Sequence, residues 1–349
     1  MGWLNDKYGP RVPTILGAIF FGTGFSLLSR VHSLSQFYLF YGIASLGAGA
    51  FFSPPTATVQ RWFVKRSGIA LGIVVSGIGI ATLVYSPLAE HLISSYGWKT
   101  AYLQIGVGTA ILLFIASLGA TTPEKKGLQP YGAGSLSQQE AIEKTVTKPS
   151  WSRAEALRDK TFWLLCALYF CNSLPTHMLA VHLVPFAESI LGIEKGVAAW
   201  AWGLVGGVSI LGRIVTPASV EETVGWRKGI IIVYAVSAAT FIWLSKTTGL
   251  WMLLVFVVIY GFAYGSHVPL IPALIRSYFG TKSLGQLIGF ALGIGLVGGA
   301  IGPPLAGYIV DATGSYIIAF LIGAGIWALA AFFAWLSKPA KKVTVDHKI

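Results

Sequence analysis

The residues best suited to do chemistry in this sequence are polar side chains inside long apolar stretches, and Arg213 is the foremost of them. Its charge is fixed, and its planar guanidinium can bind a carboxylate through two parallel hydrogen bonds. An ionisable side chain in a lipid-embedded segment is costly, so it is by default a candidate for function. The alternative is that Arg213 lies close enough to its helix end to reach lipid phosphates.

Three further candidates follow one another in a single apolar stretch, residues 161–188. They are Asn172, His177 and His182, and Pro175 between them would break a helix and free a backbone carbonyl. Histidine changes charge near neutral pH, so the two histidines could take up protons or hydrogen-bond a carboxylate. An interhelical hydrogen bond, or a place near the lipid boundary, is the alternative for both.

An aromatic group recurs at helical spacing later in the chain. Tyr260, Tyr264 and His267 occupy positions i, i+4 and i+7, which share one helix face. This spacing predicts an aromatic wall with polar tips, and ordinary interface aromatics are the alternative. Tyr85 is a separate candidate in the first half.

The patterns that enzymes need are missing from the sequence. Residues 293–298 spell G-x-G-x-x-G, but this dinucleotide fingerprint requires a preceding strand, and here it lies inside an apolar stretch. Cys166 and Cys171 would point about 140° apart on a helix and cannot bridge each other. We therefore expect no enzymatic activity, no cofactor and no metal.

The composition places these candidates in a membrane. Hydrophobic residues make up 54% of the 349 residues and charged residues 11%, with a mean hydropathy of +0.70. A soluble chain of this length needs more charged surface. The net charge of +12 would suggest nucleic acid in a soluble protein. Its distribution favours a lipid bilayer instead, and we expect no nucleic-acid partner.

Ten stretches are long and apolar enough to cross a bilayer core of about 30 Å. They predict an all-α membrane protein with four helices in residues 1–121 and six in residues 161–337. A central loop, residues 122–160, with a surface helix near 135–144, joins the bundles, and residues 338–349 form a tail. The predicted spans are 12–28, 36–58, 68–92, 100–121, 161–188, 197–219, 229–244, 249–275, 283–310 and 316–336.

The positive charges lie on one side of these spans. Of the 25 lysines and arginines, all fall on that side except Arg30, Lys99, Lys195 and Lys246. By the positive-inside rule both termini and the central loop are expected in the cytoplasm, with the chain in the plasma membrane.

The two halves resemble each other at an offset of 217 residues. Gly72 matches Gly289, Pro55 matches Pro272, and the segment 86–97 matches 303–314. Such an offset spans an even number of helices, so both copies have the same orientation. This is the parallel repeat of a two-bundle transporter, with its site between the halves. Four helices against six suggest that two are missing before the first.

The segment 2–11, GWLNDKYGPR, closely resembles the G-x-L-x-D-[RK]-x-G-x-R signature of the major facilitator superfamily. In that family it forms a cytoplasmic loop, and its acid and bases form a charge network suited to a gate. The resemblance implies gating roles for Gly2, Asp6, Lys7, Gly9 and Arg11. A degraded second copy follows at residues 218–228, and there it implies gating roles for Glu222, Gly225 and Arg227.

Within that superfamily the sequence resembles the monocarboxylate transporter and oxalate–formate antiporter branch. The resemblance implies that Arg213 binds the substrate carboxylate. Monocarboxylate transporters carry an acid one turn earlier, where this chain has Ser209, and the span 283–310 lacks the lysine of oxalate carriers. One buried cation suits a monoanion. The segments that carry the resemblance are 61–72, 97–102, 211–213 and 302–316.

These observations predict a secondary transporter of small organic anions, such as lactate, pyruvate or formate, working by alternating access. Either a proton or a counter-anion could be the coupling species. Two alternatives stay open: a truncated remnant or assembly subunit that does not transport, and a carrier of a different small solute on the same fold.

Overall fold

The computed structural model describes residues 1–132 and 151–339, and these residues are predominantly helical. A 3₁₀ turn at Glu124–Lys126 follows the fifth helix. The α-helices in chain order are α1 (Gly2–Tyr8), α2 (Arg11–Leu28), α3 (Leu34–Ala48), α4 (Ser53–Trp62), α5 (Ser67–Gly119), α6 (Arg153–Arg158), α7 (Lys160–Ser189), α8 (Lys195–Glu222), α9 (Trp226–Ser245), α10 (Leu250–Phe279), α11 (Leu284–Thr313) and α12 (Tyr316–Leu336).

The helices have the length and apolar composition of membrane spans. Nine segments of the described chain meet both criteria, and Ser67–Ala81, in the first arm of α5, is a shorter apolar helix. The predicted all-α membrane fold is therefore confirmed. The predicted spans 68–92 and 100–121 correspond to the two helical arms of α5, which meet at a kink at Gly97, where φ is +77°. The predicted span 36–58 divides into α3 and α4, because Pro54 and Pro55 cannot donate to a preceding turn.

The helices form two groups that pack against each other. In the first group α2 packs on α3 and on α5. In the second group α7 packs on α11 and α12, α8 on α10, and α9 on α10 and α12. Contacts between the groups are made by α5 against α8, and by α1 and α4 against α11. A site at this interface is bordered by helices from both halves of the repeat.

Glycines allow the closest approaches between the two groups. A methyl group on Gly72 would overlap the carbonyl oxygen of Arg213, and one on Gly2 would overlap the carbonyl oxygen of Gly285. Small residues let membrane helices pack backbone to backbone. The spacing between α5 and α8, and between α1 and α11, is therefore set by backbone contact.

The ends of the central loop are fixed to the helices. The backbone N–H of Trp151 donates to the carbonyl oxygen of Phe279 at 3.1 Å, and Ser152 begins α6 with a capping box. The predicted surface helix near 135–144 lies outside the described residues, as does most of the predicted tail.

Candidate functional site

Arg213 lies on α8 with 1% of its surface exposed. Its Cζ is 5.3 Å from the ring centroid of Tyr264, close enough for a cation–π contact. Its Nε and Nη1 have no hydrogen-bond partner among the described residues. One turn earlier, Ser209 is fully buried, and its hydroxyl donates to the carbonyl of Gly206 at 2.6 Å. The described part of the chain thus supplies Arg213 with the ring and a side-chain hydrogen bond of Tyr264 and with no ion pair.

The guanidinium of Arg213 faces the first group of helices. A Cβ on Gly79 of α5 would stand 2.8 Å from its Nη1 and 2.7 Å from Cγ1 of Ile210. A buried charge without a partner costs several kcal/mol, on the order of the penalty for breaking a buried ion pair. The position between the two groups, together with this unmet charge, makes Arg213 a candidate anion site.

The predicted aromatic face of α10 is assembled beside Arg213. The ring of Tyr264 lies 5.6 Å from that of His267, in a T-shaped arrangement, and 6.2 Å from that of Tyr260. Tyr260 is fully buried among Phe241 and Phe256, so Tyr264 is the member that touches the guanidinium. His267 is 1% exposed and neither of its ring nitrogens has a hydrogen-bond partner among the described residues.

The candidates on α7 differ in their hydrogen bonds. Asn172 is buried, and its side-chain oxygen has no described hydrogen-bond partner. The Nδ1 of His177 is 2.9 Å from the carbonyl oxygen of Ser173 on the same helix. The Nε2 of His182 is 2.9 Å from the carbonyl oxygen of Pro303 on α11. The interhelical hydrogen bond expected as the alternative role is therefore present at His182.

Tyr85 has a polar contact within the first group. Its hydroxyl is 3.1 Å from the hydroxyl of Thr109, so the bond joins the two arms of α5. Metal binding has no obvious location, since residues 1–132 and 151–339 contain no group of three or more His, Cys, Asp or Glu side chains arranged to hold an ion.

A charge network joins the two groups at one end of the helices, which we call the basic end because it carries Lys7, Arg61 and Arg276. Asp6 accepts from Nη2 of Arg61 at 2.7 Å and from the backbone N–H groups of Gly285 and Gln286 at 3.1 and 2.8 Å.

These N–H groups belong to the first turn of α11, where the helix dipole favours an anion. Burial raises the pKa of the Asp6 carboxyl above its ordinary value, although the N–H groups and Arg61 oppose this effect. Asp6 therefore ties α1 and α4 to the start of α11.

A second network repeats this arrangement with the groups exchanged. Glu221, at the end of α8, accepts from the hydroxyl of Ser67 and from the N–H of Gly68 at 2.7 Å, in the first turn of α5. Arg276 lies within electrostatic reach of Glu221, and its Nη2 donates to the carbonyl of Phe63 at 3.1 Å. Each group of helices thus supplies an acid that caps a helix of the other.

The remaining residues of the gating motif are placed differently. Gly2 is buried against α11, and Gly9 ends α1 with a φ of +83°. Lys7 lies over the rings of Trp3 and Tyr8, 5.0 and 5.1 Å from their centroids. Lys7 and Arg11 are both exposed.

In the second copy the network uses Glu221, while Glu222 is exposed on the neighbouring helix face. Gly225 has a φ of +79°, and Arg227 donates to the carbonyl groups of Ala334 and Trp335 at the end of α12.

Sequence reasoning missed Glu221 and Arg276, which form the second network. Both lie 215 residues after their counterparts, Asp6 and Arg61, which is two residues short of the 217 offset of the repeat. A search for acid–base pairs near that offset would have found them. The choice of Glu221 over Glu222 still depends on the direction in which the end of α8 faces.

Comparison with known proteins agrees with this arrangement. The family model described as Major Facilitator Superfamily matches residues 1–244 and 221–348. Monocarboxylate transporter 12 of Xenopus laevis is 26% identical, over 98% of this chain and 77% of that protein. Monocarboxylate transporter 13 of Rattus norvegicus is 29% identical, over 96% and 75%. The Oxalate:formate antiporter of Oxalobacter formigenes is 24% identical, over 98% and 80%.

Solved structures share the fold. The E. coli Fucose:proton symporter, FucP, superposes with a TM-score of 0.73 at 17% identity, covering 97% of this chain and 86% of that one. The human organic anion transporter MFSD10 superposes with a TM-score of 0.75 at 17% identity, covering 95% and 79%.

Proposed function

The chain belongs to the Major Facilitator Superfamily, and from this premise we propose that it is a secondary active transporter of small organic monoanions, such as lactate, pyruvate or formate. The observation that carries the proposal is the guanidinium of Arg213, buried between the two groups of helices with Nε and Nη1 unpartnered. The relatives named as monocarboxylate and oxalate:formate carriers support the substrate class.

The chemistry of the site favours a single carboxylate. A carboxylate that binds Arg213 would satisfy donors for which the described protein has no acceptor, and charge-assisted hydrogen bonds contribute about 1.5–3 kcal/mol each. Tyr264 would place its ring beside the apolar part of the anion. The second charge of a dianion would face the aromatic wall. The site has no second described cation that could neutralise that charge.

Alternating access would use the two networks at the basic end as its gate. Here Asp6 and Glu221 cap α11 and α5, and the basic end is held closed. Opening this end would release both carboxylates from the helix starts and separate the glycine contacts of α5 with α8. We place the basic end and both termini in the cytoplasm, and the chain in the plasma membrane, because the lysines and arginines are concentrated there.

Counterflow of radiolabelled formate or lactate into proteoliposomes tests the proposal. Arg213→Ala should lower uptake by about 100-fold, because two charge-assisted hydrogen bonds are lost. Arg213→Lys keeps the charge without the planar fork and should lower it by about tenfold. Arg30→Ala, at an exposed arginine, is the matched control. Native uptake by folded protein carrying either Arg213 substitution would contradict the role of this residue.

Competition by unlabelled solutes separates the proposal from a carrier of a different small molecule on the same fold. Lactate, pyruvate and formate should compete with the label, and neutral solutes of similar size should not. Displacement by neutral solutes alone would favour the other carrier.

A further inference from the structure

His267 is a buried titratable group that the anion site as described leaves without a role. It is 1% exposed, and both ring nitrogens lack a hydrogen-bond partner among the described residues. A buried polar atom without a partner destabilises the fold, so an unpartnered buried histidine is a candidate for function. Its ring lies 5.6 Å from the ring of Tyr264.

The helices around His267 present it with one cation and no described carboxylate. Arg213 of α8 is within electrostatic reach, and the two side chains contact the same ring, that of Tyr264. The other neighbouring rings are Tyr234 of α9 at 5.9 Å and Trp327 of α12 at 5.2 Å. From α7, Tyr169 and Cys171 adjoin Tyr234, and from α10 itself Tyr260 stacks on Tyr264.

The charge state of Arg213 affects how readily His267 binds a proton. Without an anion, a proton on His267 would place a second cation beside the buried charge of Arg213, and like charges repel strongly in a medium of low dielectric constant. A carboxylate bound to Arg213 neutralises the first cation and removes that repulsion. Binding of the anion therefore favours binding of a proton at His267, and the reverse is equally true.

We propose that His267 is the proton-binding residue of the transport cycle and takes up one proton with each carboxylate. The inference rests on the proposed function of Arg213. An imidazole nitrogen lone pair accepts a proton from hydronium in the solution at the open end, leaving water. When the anion leaves at the other end, the N–H bond breaks and the proton passes to water there. The loaded site then has the same net charge as the empty site. The loaded carrier and the empty carrier therefore move equal charge when they change conformation across the membrane.

Two other histidines of the spans, on α7, are less suited to this role. A ring nitrogen of His177 already lies at hydrogen-bond distance from the carbonyl oxygen of Ser173, and one of His182 from that of Pro303. Ser209 occupies the position one turn before Arg213 and cannot titrate in the physiological range. Among the histidines of the described chain, His267 alone combines two ring nitrogens without hydrogen-bond partners with an electrostatic interaction with Arg213.

Proteoliposomes containing the full chain and a pH-sensitive dye separate this inference from the proposed function. Two fluxes are measured: formate counterflow at equal pH, and proton entry during net formate uptake. In the native protein, proton entry should match formate entry, and an inward proton gradient should drive accumulation. His267→Gln should lose both the coupled proton entry and the accumulation, and its formate exchange should no longer rise on acidification. His32→Gln, at an exposed histidine, is the matched control.

The outcomes are distinguishable. Absence of counterflow in the native protein would overturn the proposed function itself. Counterflow without proton entry in the native protein, or proton entry unchanged by His267→Gln, would overturn only the inference about His267. His267→Asn provides a second variant should the first fail to fold. Loss of exchange in a folded His267 variant would assign the residue to anion binding and would also overturn the coupling role.

Discussion

Arg61 and Arg213 are both largely buried arginines at the contact between the two groups of helices, and they differ in how their charge is met. Arg61 has a carboxylate, Asp6, at 2.7 Å. Arg213 has the face of Tyr264 and two nitrogens without described partners. The charge of a paired arginine is already neutralised by protein, whereas an unpaired one stays available to an anion from solution. The same side chain thus fits a gate in one place and a binding site in the other.

The largest effect is expected when Arg213, like Arg61, is given a carboxylate partner. Ser209→Asp places a carboxylate one turn before Arg213 on the same helix face. The new acid should occupy the guanidinium and lower formate counterflow at neutral pH by about 100-fold, equivalent to about 2.7 kcal/mol. Ser209→Asn, of the same size and uncharged, is the control. Equal counterflow in the two variants would mean that the charge of Arg213 is not what binds the anion.

The reverse change removes the partner of Arg61. Asp6→Ala leaves a largely buried cation unpaired and the first turn of α11 uncapped, which should cost the closed basic end about 2 kcal/mol and shift its equilibrium about 30-fold towards opening. Labelling of Ser53→Cys, buried against Gly285, by a membrane-impermeant maleimide reports this opening in a background lacking Cys166 and Cys171.

Lys7→Ala is the matched control for this change, because Lys7 is exposed and lies over aromatic rings outside the network. Similar labelling in Asp6→Ala and Lys7→Ala would remove Asp6 from the gate.

A substitution on α5, which faces Arg213 across the contact between the two groups, should have a smaller effect. Gly79→Ala would place a methyl carbon 2.8 Å from Nη1 of Arg213, so the guanidinium must move. Because the end of a long side chain can shift at small cost, formate affinity should fall only about threefold to tenfold. Gly77→Ala lies on the same helix with nothing within 4 Å and is the control. Equal affinities would indicate that Arg213 binds the anion away from α5.

The smallest expected effect is the pH dependence of the gate. Burial raises the pKa of Asp6 in the closed state, and opening would return it towards the ordinary aspartate value as water reaches the carboxyl. A proton is then bound more tightly when the basic end is closed, so acidification between the two pKa values should favour closure. Above the raised pKa this contribution is lost.

Hydrogen exchange at the amides of Gly285 and Gln286, which donate to Asp6, measures that closure. Asp6→Asn corrects for the intrinsic pH dependence of exchange. Faster exchange on acidification, relative to Asp6→Asn, would contradict the prediction that acidification favours closure of the basic end.

Much of the fold could be predicted, because hydrophobic length is a local property of the chain. The predicted spans agree with the helices of the second group to within a few residues at most ends. The first group was less predictable. The break before α4 follows from Pro54 and Pro55. The two arms of α5 were predicted as separate spans, but only the structure shows that the first arm continues to Gly97, where the second begins.

The candidate site was predictable where one helix face carries the signal. Tyr260, Tyr264 and His267 are neighbours by spacing alone, and the structure keeps them together. The contact of Tyr264 with Arg213 joins two helices, so no spacing within either one could have predicted it. Adjacent residues of a helix point about 100° apart, which is why the choice between Glu221 and Glu222 depended on the orientation of α8.

The sequence by itself determined which stretches are long and apolar enough to cross a bilayer, where the repeat lies and which side chains carry charge into the apolar region. Only the tertiary structure decided which of those charges are met. Whether a buried cation has a partner depends on atoms supplied by other helices, and those atoms are brought within reach by packing, not by position along the chain.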